Sequence, residues 1–186
     1  LSFKLTILDG WGGFLIQLNS FKEIKPSMTS KEYVGWLNDK DLMRFTEVRF
    51  QKHTMQNVKK YVSEIYKSKT DFLYGAFVQE KNKKIHIGNI KLGGINSYHK
   101  FADIAYIIGN RDYIGKGYGK LLIKAISNLA KKKFKLKQII AGVYDNNIAS
   151  KKVLLANGFK LTGIIKKQFK YRNKYVDHCL YRKFLD

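Results

Sequence analysis

Arg111-Asp-Tyr-Ile-Gly-Lys-Gly-Tyr-Gly-Lys120 stands between an apolar run, Ile104 to Ile108, and a helical pattern that begins at Leu121. Glycines occupy every second position, Gly115, Gly117 and Gly119. Without Cβ atoms the chain can turn tightly there while its N–H groups converge on one point. Such a point attracts phosphate, and the following helix adds unpaired N–H donors and the positive end of its dipole. Lys116 and Lys120 add charge. No Gly-Lys-Ser/Thr closes the stretch as in a P-loop, and the dinucleotide fingerprint has another glycine spacing. Taken alone, the stretch also reads as a plain strand-to-helix turn, so its surroundings decide.

Before it, Phe72 to Val78 is a continuous apolar run, and Ile85 to Leu92 alternates until its phase slips near Gly88 and Asn89, as at a bulge. Phe101 to Ile108 follows as a third strand. Further upstream, Thr29-Ser30-Lys31-Glu32 forms a capping box for a short helix that carries Tyr33, Trp36 and Leu37, and a second helix starts at Thr54 with Val58, Tyr61, Val62, Ile65 and Tyr66 along one face. The polar segment between them, Asp41 to Gln51, holds Arg44, Glu47 and Arg49, and loops of this kind often grip small ligands. Leu5 to Leu8 and Phe14 to Leu18 flank Asp-Gly-Trp-Gly-Gly as a hairpin. Downstream, Gln138 to Tyr144 reads as a strand, Asn147 to Asn157 as a helix ended by Gly158, and Phe159 to Phe169 with Tyr175 to Phe184 as a hairpin over Tyr-Arg-Asn-Lys.

The 186 residues suffice for one domain with a real core, residues 1–186, with 1–12 as an N-terminal strand extension. A hydrophobic fraction of 45% and an aromatic fraction of 14% argue against disorder. No apolar run reaches the roughly 18 to 20 residues that span a bilayer, and no basic-then-apolar signal opens the chain, so a cytoplasmic protein is expected. The lone Cys179 sits in a strand pattern and reads as core. The net charge of +22 points to an anionic partner, or to a lysine-rich compositional background, since the cations run from Lys4 to Lys183. His53, His86 and His178 have no partners at metal spacing, so no metal is expected.

The order strand, two helices, three antiparallel strands, glycine turn, helix, strand, helix and strand pair resembles the GNAT superfamily of acyl-CoA-dependent N-acetyltransferases. The resemblance covers nearly all of the chain from about Phe14. It rests on Phe-Ala-Asp-Ile-Ala-Tyr-Ile-Ile (101–108), Gly-Lys-Gly-Tyr-Gly (115–119), Val-Tyr-Asp-Asn-Asn-Ile-Ala-Ser (143–150) and Asn-Gly-Phe-Lys (157–160). The nearest branches in character acetylate ribosomal-protein N-termini, polyamines and bacterial amino-sugars, and Trp36-Leu37-Asn38-Asp39 is similar to the last. The implied fold is α/β: a mixed, mostly antiparallel sheet of about six to seven strands, with a parallel splayed pair in the middle and helices on both faces. Two departures stand out: Ile114 where the family usually has Gln or Arg, and Leu154 where many members carry a tyrosine acid.

What the resemblance implies is acetyl-CoA as co-substrate and a small-molecule or peptide amine as acceptor. Specific nucleic-acid or membrane binding is not implied, and a homodimer is compatible with it. Ile114, Gly115, Lys116, Gly117, Tyr118, Gly119 and Lys120 would hold the pyrophosphate. Tyr106, Ile107 and Ile108 would line the pantetheine arm, with Asn147 and Ser150 near the sulfur. Asp103 is the expected base for the ammonium of the acceptor, with a plain strand carboxylate as the alternative. Ser150 is the expected donor to the thiolate, with an ordinary helix cap as the alternative and Tyr144 as another acid. Trp36, Arg44, Arg49, Tyr98 and His99 would shape the acceptor site. An amino-sugar or sugar nucleotide and a protein N-terminal amine both stay open as acceptors. Outside this class stand a basic nucleic-acid-binding module and a CoA-binding protein without activity.

Overall fold

The computed structural model describes residues 5–8 and 15–185. Strands β1 (Leu5–Leu8) and β2 (Leu15–Leu18) pair as an antiparallel hairpin, as expected, while the expected glycine turn between them lies outside the described residues. The main sheet has seven strands in the order β3-β4-β5-β6-β7-β9-β8. These are β3 (Ser20–Glu23), β4 (Phe72–Glu80), β5 (Lys83–Asn96), β6 (Phe101–Ile108), β7 (Gln138–Tyr144), β8 (Lys160–Tyr171) and β9 (Lys174–Phe184). All pairings are antiparallel except β6 with β7.

Helices cover both faces because the inner strand β4 is apolar on both sides of its pleat from Leu73 to Val78. On one face, α3 (Tyr118–Lys132) buries Leu121, Leu122, Ala125, Ile126 and Leu129 against Ile90, Leu92, Ala102, Ile104 and Ile139, and α4 (Ile148–Leu155) adds Leu154. On the other, α1 (Lys31–Asn38) and α2 (Met55–Lys67) bury Tyr33, Trp36, Val58, Val62 and Ile65 against Leu73 and Phe77.

Three local expectations are corrected. Ser30, not Thr29, caps α1 and accepts from the Tyr33 N–H; the reciprocal capping box forms instead at α2, between Thr54 and Asn57. Tyr61 and Tyr66 lie on the exposed side of α2, because the sheet is reached by Val58, Val62 and Ile65. Helix α3 starts at Tyr118 rather than Leu121, because the left-handed turn is complete at Gly117 and Gly119 already lies in the first helical turn. The bulge expected near Gly88 is present: Ala76 pairs with Gly88 and Phe77 with His86, leaving Ile87 as the extra residue.

Candidate active site at the β6–β7 fork

Beyond Ile108 the side chain of Asn110 caps a short 3-10 turn, Arg111–Tyr113, and Gly115 and Gly117 then adopt φ of +77° and +83°. These are conformations that side chains other than glycine resist. Gly117 has a second constraint, since a Cβ there would stand 2.6 Å from Cδ1 of Ile16 on β2. The N–H of Ile114 is engaged by Arg111 C=O, and that of Lys120 by Gly117 C=O. Among the described residues, the N–H groups of the turn left without a backbone partner are therefore those of Gly115 to Gly119, a narrower set than the sequence suggests. Lys116 and Lys120 stay exposed beside them.

Strands β6 and β7 are paired only through Phe101↔Gln138, Ala102↔Ile139 and Asp103↔Ile140. Past that point β6 stays bonded to β5 as far as Ile108 and β7 to β9 as far as Tyr144, but not to each other. A fork results, with Asp103 at its base and the glycine turn at its open end. Its inner edges carry backbone donors and acceptors at strand spacing, able to take an extended chain bearing amides.

Asp103 is exposed on the face of the sheet that α1 and α2 partly cover, opposite Gly93 on β5, and Gly94 leaves room at its Oδ2. Although its surface is open, the surrounding walls exclude enough water to raise its carboxyl above the usual range, while the charge of Lys91 opposes the shift. Lys91 is itself paired with Asp71 at 2.7 Å.

On the α3 face, Asn147 caps α4 by accepting from the Ser150 N–H at 3.2 Å. This leaves the Ser150 hydroxyl free of capping, and it lies 3.1 Å from the Tyr106 hydroxyl. Tyr106 in turn reaches the start of α3, where its ring would be 3.7 Å from a Cβ on Gly119. Leu154, in the position of the family tyrosine, is fully buried. Tyr144 donates to the Glu47 carboxylate and stacks on Phe169 at 4.1 Å. Burial first, then Glu47, pushes its phenol up to about 12, so it is a weak acid.

The expected acceptor residues divide. Arg44 and Arg49 do face one open depression of about 210 Å³ with Lys40, Asp41, Tyr171 and Arg172. Arg49 donates to the carbonyls of Arg44 and Lys170 and lies over the rings of Phe50 and Tyr144, so the 41–51 segment is tied to the β8–β9 tip. Trp36 is only 9% exposed, and its indole lies where a side chain on Gly109 would be, so it is a core residue. Tyr98 and His99 sit in the β5–β6 turn, held by Asn96, at the opposite end of β6 from the glycine turn. Three groups join the expected ones: Lys91 beside Asp103, Glu47 beneath Tyr144, and His178, whose ring lies over Gly142 on the β7 side of the fork. Cys179 is buried, with its thiol on Asp145.

Among the described residues no cluster of three or more His, Cys, Asp or Glu is placed to hold a metal, and no helix is long and apolar enough to cross a membrane. The backbone cradle fits a diphosphate and the fork fits a pantetheine arm, as acetyl-CoA requires.

Residues 25–160 match the acetyltransferase (GNAT) domain family. Among solved structures, the spermidine N-acetyltransferase of Vibrio cholerae in complex with CoA and spermine superposes with a TM-score of 0.78 at 17% identity, over 89% of this chain and 95% of that one. The ribosomal L7/L12 alpha-N-protein acetyltransferase RimL in complex with coenzyme A gives 0.78 at 18% identity, over 89% and 93%. A GNAT acetyltransferase of Streptococcus pneumoniae gives 0.71 at 21% identity, over 89% and 98%. The seven-stranded forked sheet and the 25–160 match agree: this chain belongs to the GNAT family, as an acyl-CoA-dependent N-acetyltransferase.

Proposed function

We propose that the chain, as one domain, transfers an acetyl group from acetyl-CoA to a primary amine by direct attack within a ternary complex. The observation that carries this reading is the end of β6–β7 pairing at Asp103↔Ile140, with the glycine turn at the fork's open end. From Asp103 to Ile108 is five residues of extended strand, roughly 17 Å, a fair match to an arm running from a diphosphate to a thioester. The N–H groups of Gly115 to Gly119 bind the diphosphate. Asp103 takes a proton from the ammonium of the acceptor through water. A backbone N–H on the open edge of β6 steadies the oxyanion. Ser150, in contact with Tyr106, donates to the departing thiolate, a role for which Tyr144 is poorly suited while bonded to Glu47.

For the acceptor, the reading is an amine that also carries an anionic group, such as an amino-sugar nucleotide. Lys40, Arg44, Arg49 and Arg172 line the depression with Asp41 as its single acid, and among the described residues none of the four cations forms an ion pair. Such a wall repels a polyamine, although the Vibrio cholerae relative was solved with spermine. A protein N-terminal amine is the second reading, favoured by the likeness to the ribosomal-protein enzyme. A screen measuring thiol release with amino-sugar nucleotides, N-terminal peptides and spermidine tests both. Highest kcat/KM for the nucleotides supports the first reading, and highest kcat/KM for spermidine overturns it.

A further inference from the structure

His178 stands on β9, next to β7, on the same face of the sheet as Asp103 and across the fork from it. It pairs with Tyr144 across the strands, and its ring leans back over Gly142. A Cβ on Gly142 would stand 2.2 Å from Nε2 and 3.0 Å from Cε1, so the imidazole occupies the space that a side chain there would fill. Gly142 lies two residues beyond Ile140, where pairing with β6 has ended, and the pleat sets it on the same face as Asp103. Nε2 thus borders the unpaired part of the fork.

The other ring nitrogen is held. Nδ1 lies 2.6 Å from Gln168 Oε1, and an amide oxygen only accepts, so Nδ1 carries the hydrogen. In the neutral ring this leaves Nε2 with a free lone pair. Phe169 flanks the ring at 4.5 Å. The groups facing it from packed elements are Tyr144 from β7 and Glu47, with Arg49 behind, from the 41–51 segment; β8 contributes only the neutral Gln168 and Phe169. Burial holds the imidazole below its usual range, with Glu47 opposing, so it is neutral near pH 7.

We propose that Nε2 of His178 is a second proton acceptor at the fork, taking the proton that the attacking nitrogen sheds once it has bonded to the thioester carbon. This rests on the acetyl-transfer reading above. An ammonium must lose two protons to become an amide nitrogen. Asp103 acts on the first, before attack. Attack then forms the N–C bond, moves the carbonyl electron pair onto oxygen and leaves the nitrogen positive with a surplus proton, which passes to Nε2. Collapse restores C=O and breaks C–S; the thiolate leaves with the electron pair and is protonated from the Ser150–Tyr106 pair, which is refilled from water. The imidazolium returns its proton to water. One acceptor proton is balanced by the new thiol and one reaches solvent.

The test uses the full chain with the best amine from the screen. His178→Gln is expected to lower kcat about a hundredfold while acetyl-CoA affinity by calorimetry stays within about twofold, and to remove from the pH profile an ionisation lying below the ordinary imidazole value of about 6.5. Gly142→Ala, which keeps the imidazole but displaces it from the fork, is expected to lower kcat in the same direction. Nitrogen-15 NMR of the unmodified protein, a readout independent of turnover, is expected to show hydrogen on Nδ1 and none on Nε2 at pH 7. A hydrogen on Nε2, or an unchanged kcat in His178→Gln, overturns the proposal while leaving the transferase reading intact. An unmodified chain that releases no thiol with any amine overturns that reading, and the proposal with it.

Discussion

Asp103 and Ile140 form the last residue pair between β6 and β7, and the two strands part directly beyond them. The same place where the sheet loses its ladder therefore gains a carboxylate, within the field of Lys91. Asp103→Asn keeps the volume and removes the base. Turnover is expected to fall about a hundredfold with acetyl-CoA affinity unchanged by calorimetry. An unaltered pH–rate profile would remove Asp103 from the mechanism.

Lys91 acts on that carboxylate from β5, and its charge favours the ionised form. Lys91→Met takes the cation away, so the carboxyl of Asp103, already raised by burial, rises further. Activity that needs the carboxylate is then lost at a higher pH on the way down. The acidic limb of kcat/KM is expected to move upward, and a limb that stays in place or moves downward would show that Lys91 does not tune Asp103.

The fold was legible because it is written in local signals. Phe101–Ile108 and Gln138–Tyr144 are strands over the same residues in sequence and structure, and Gly115 and Gly117 mark a turn that only positive φ permits. The proposed CoA side of the site, being largely backbone, rests on these same signals. The acceptor side depends on which distant side chains share a face, which local signals do not carry. Trp36 reads the same whether it lines a cleft or packs on Gly109, and Tyr98 and His99 lie exposed in the turn ahead of β6, at the end nearer Asp103, where Asn96 holds only their backbone. His178 had only one trace in the sequence, a glycine at 142 that lies diagonal to it in a strand pair whose register no pattern reveals.

The hydrogen bond between Tyr106 and Ser150 ties β6 to α4 behind the fork. Ser150→Ala and Tyr106→Phe should each slow transfer modestly. Because they share one interaction, the double variant should lose less than the two single losses combined. Strict additivity in kcat would mean that the two hydroxyls do not work as a unit.

Gly109 separates β6 from the glycine turn, and a Cβ on it would lie 2.0 Å from Cδ2 of Trp36. Trp36 is enclosed by Tyr33 and His86, at ring distances of 6.0 and 4.9 Å, so the indole has little freedom to retreat. Gly109→Ala is expected to cost about 1–3 kcal/mol of stability, measured by urea unfolding. Gly115→Ala, which meets no neighbour but must hold φ at +77°, should instead cost about 1–2 kcal/mol through backbone strain alone. Pairing the first substitution with Trp36→Leu separates the causes. If overlap with the indole is the reason, Gly109→Ala becomes milder in that background, whereas an unchanged cost would place the strain in the backbone.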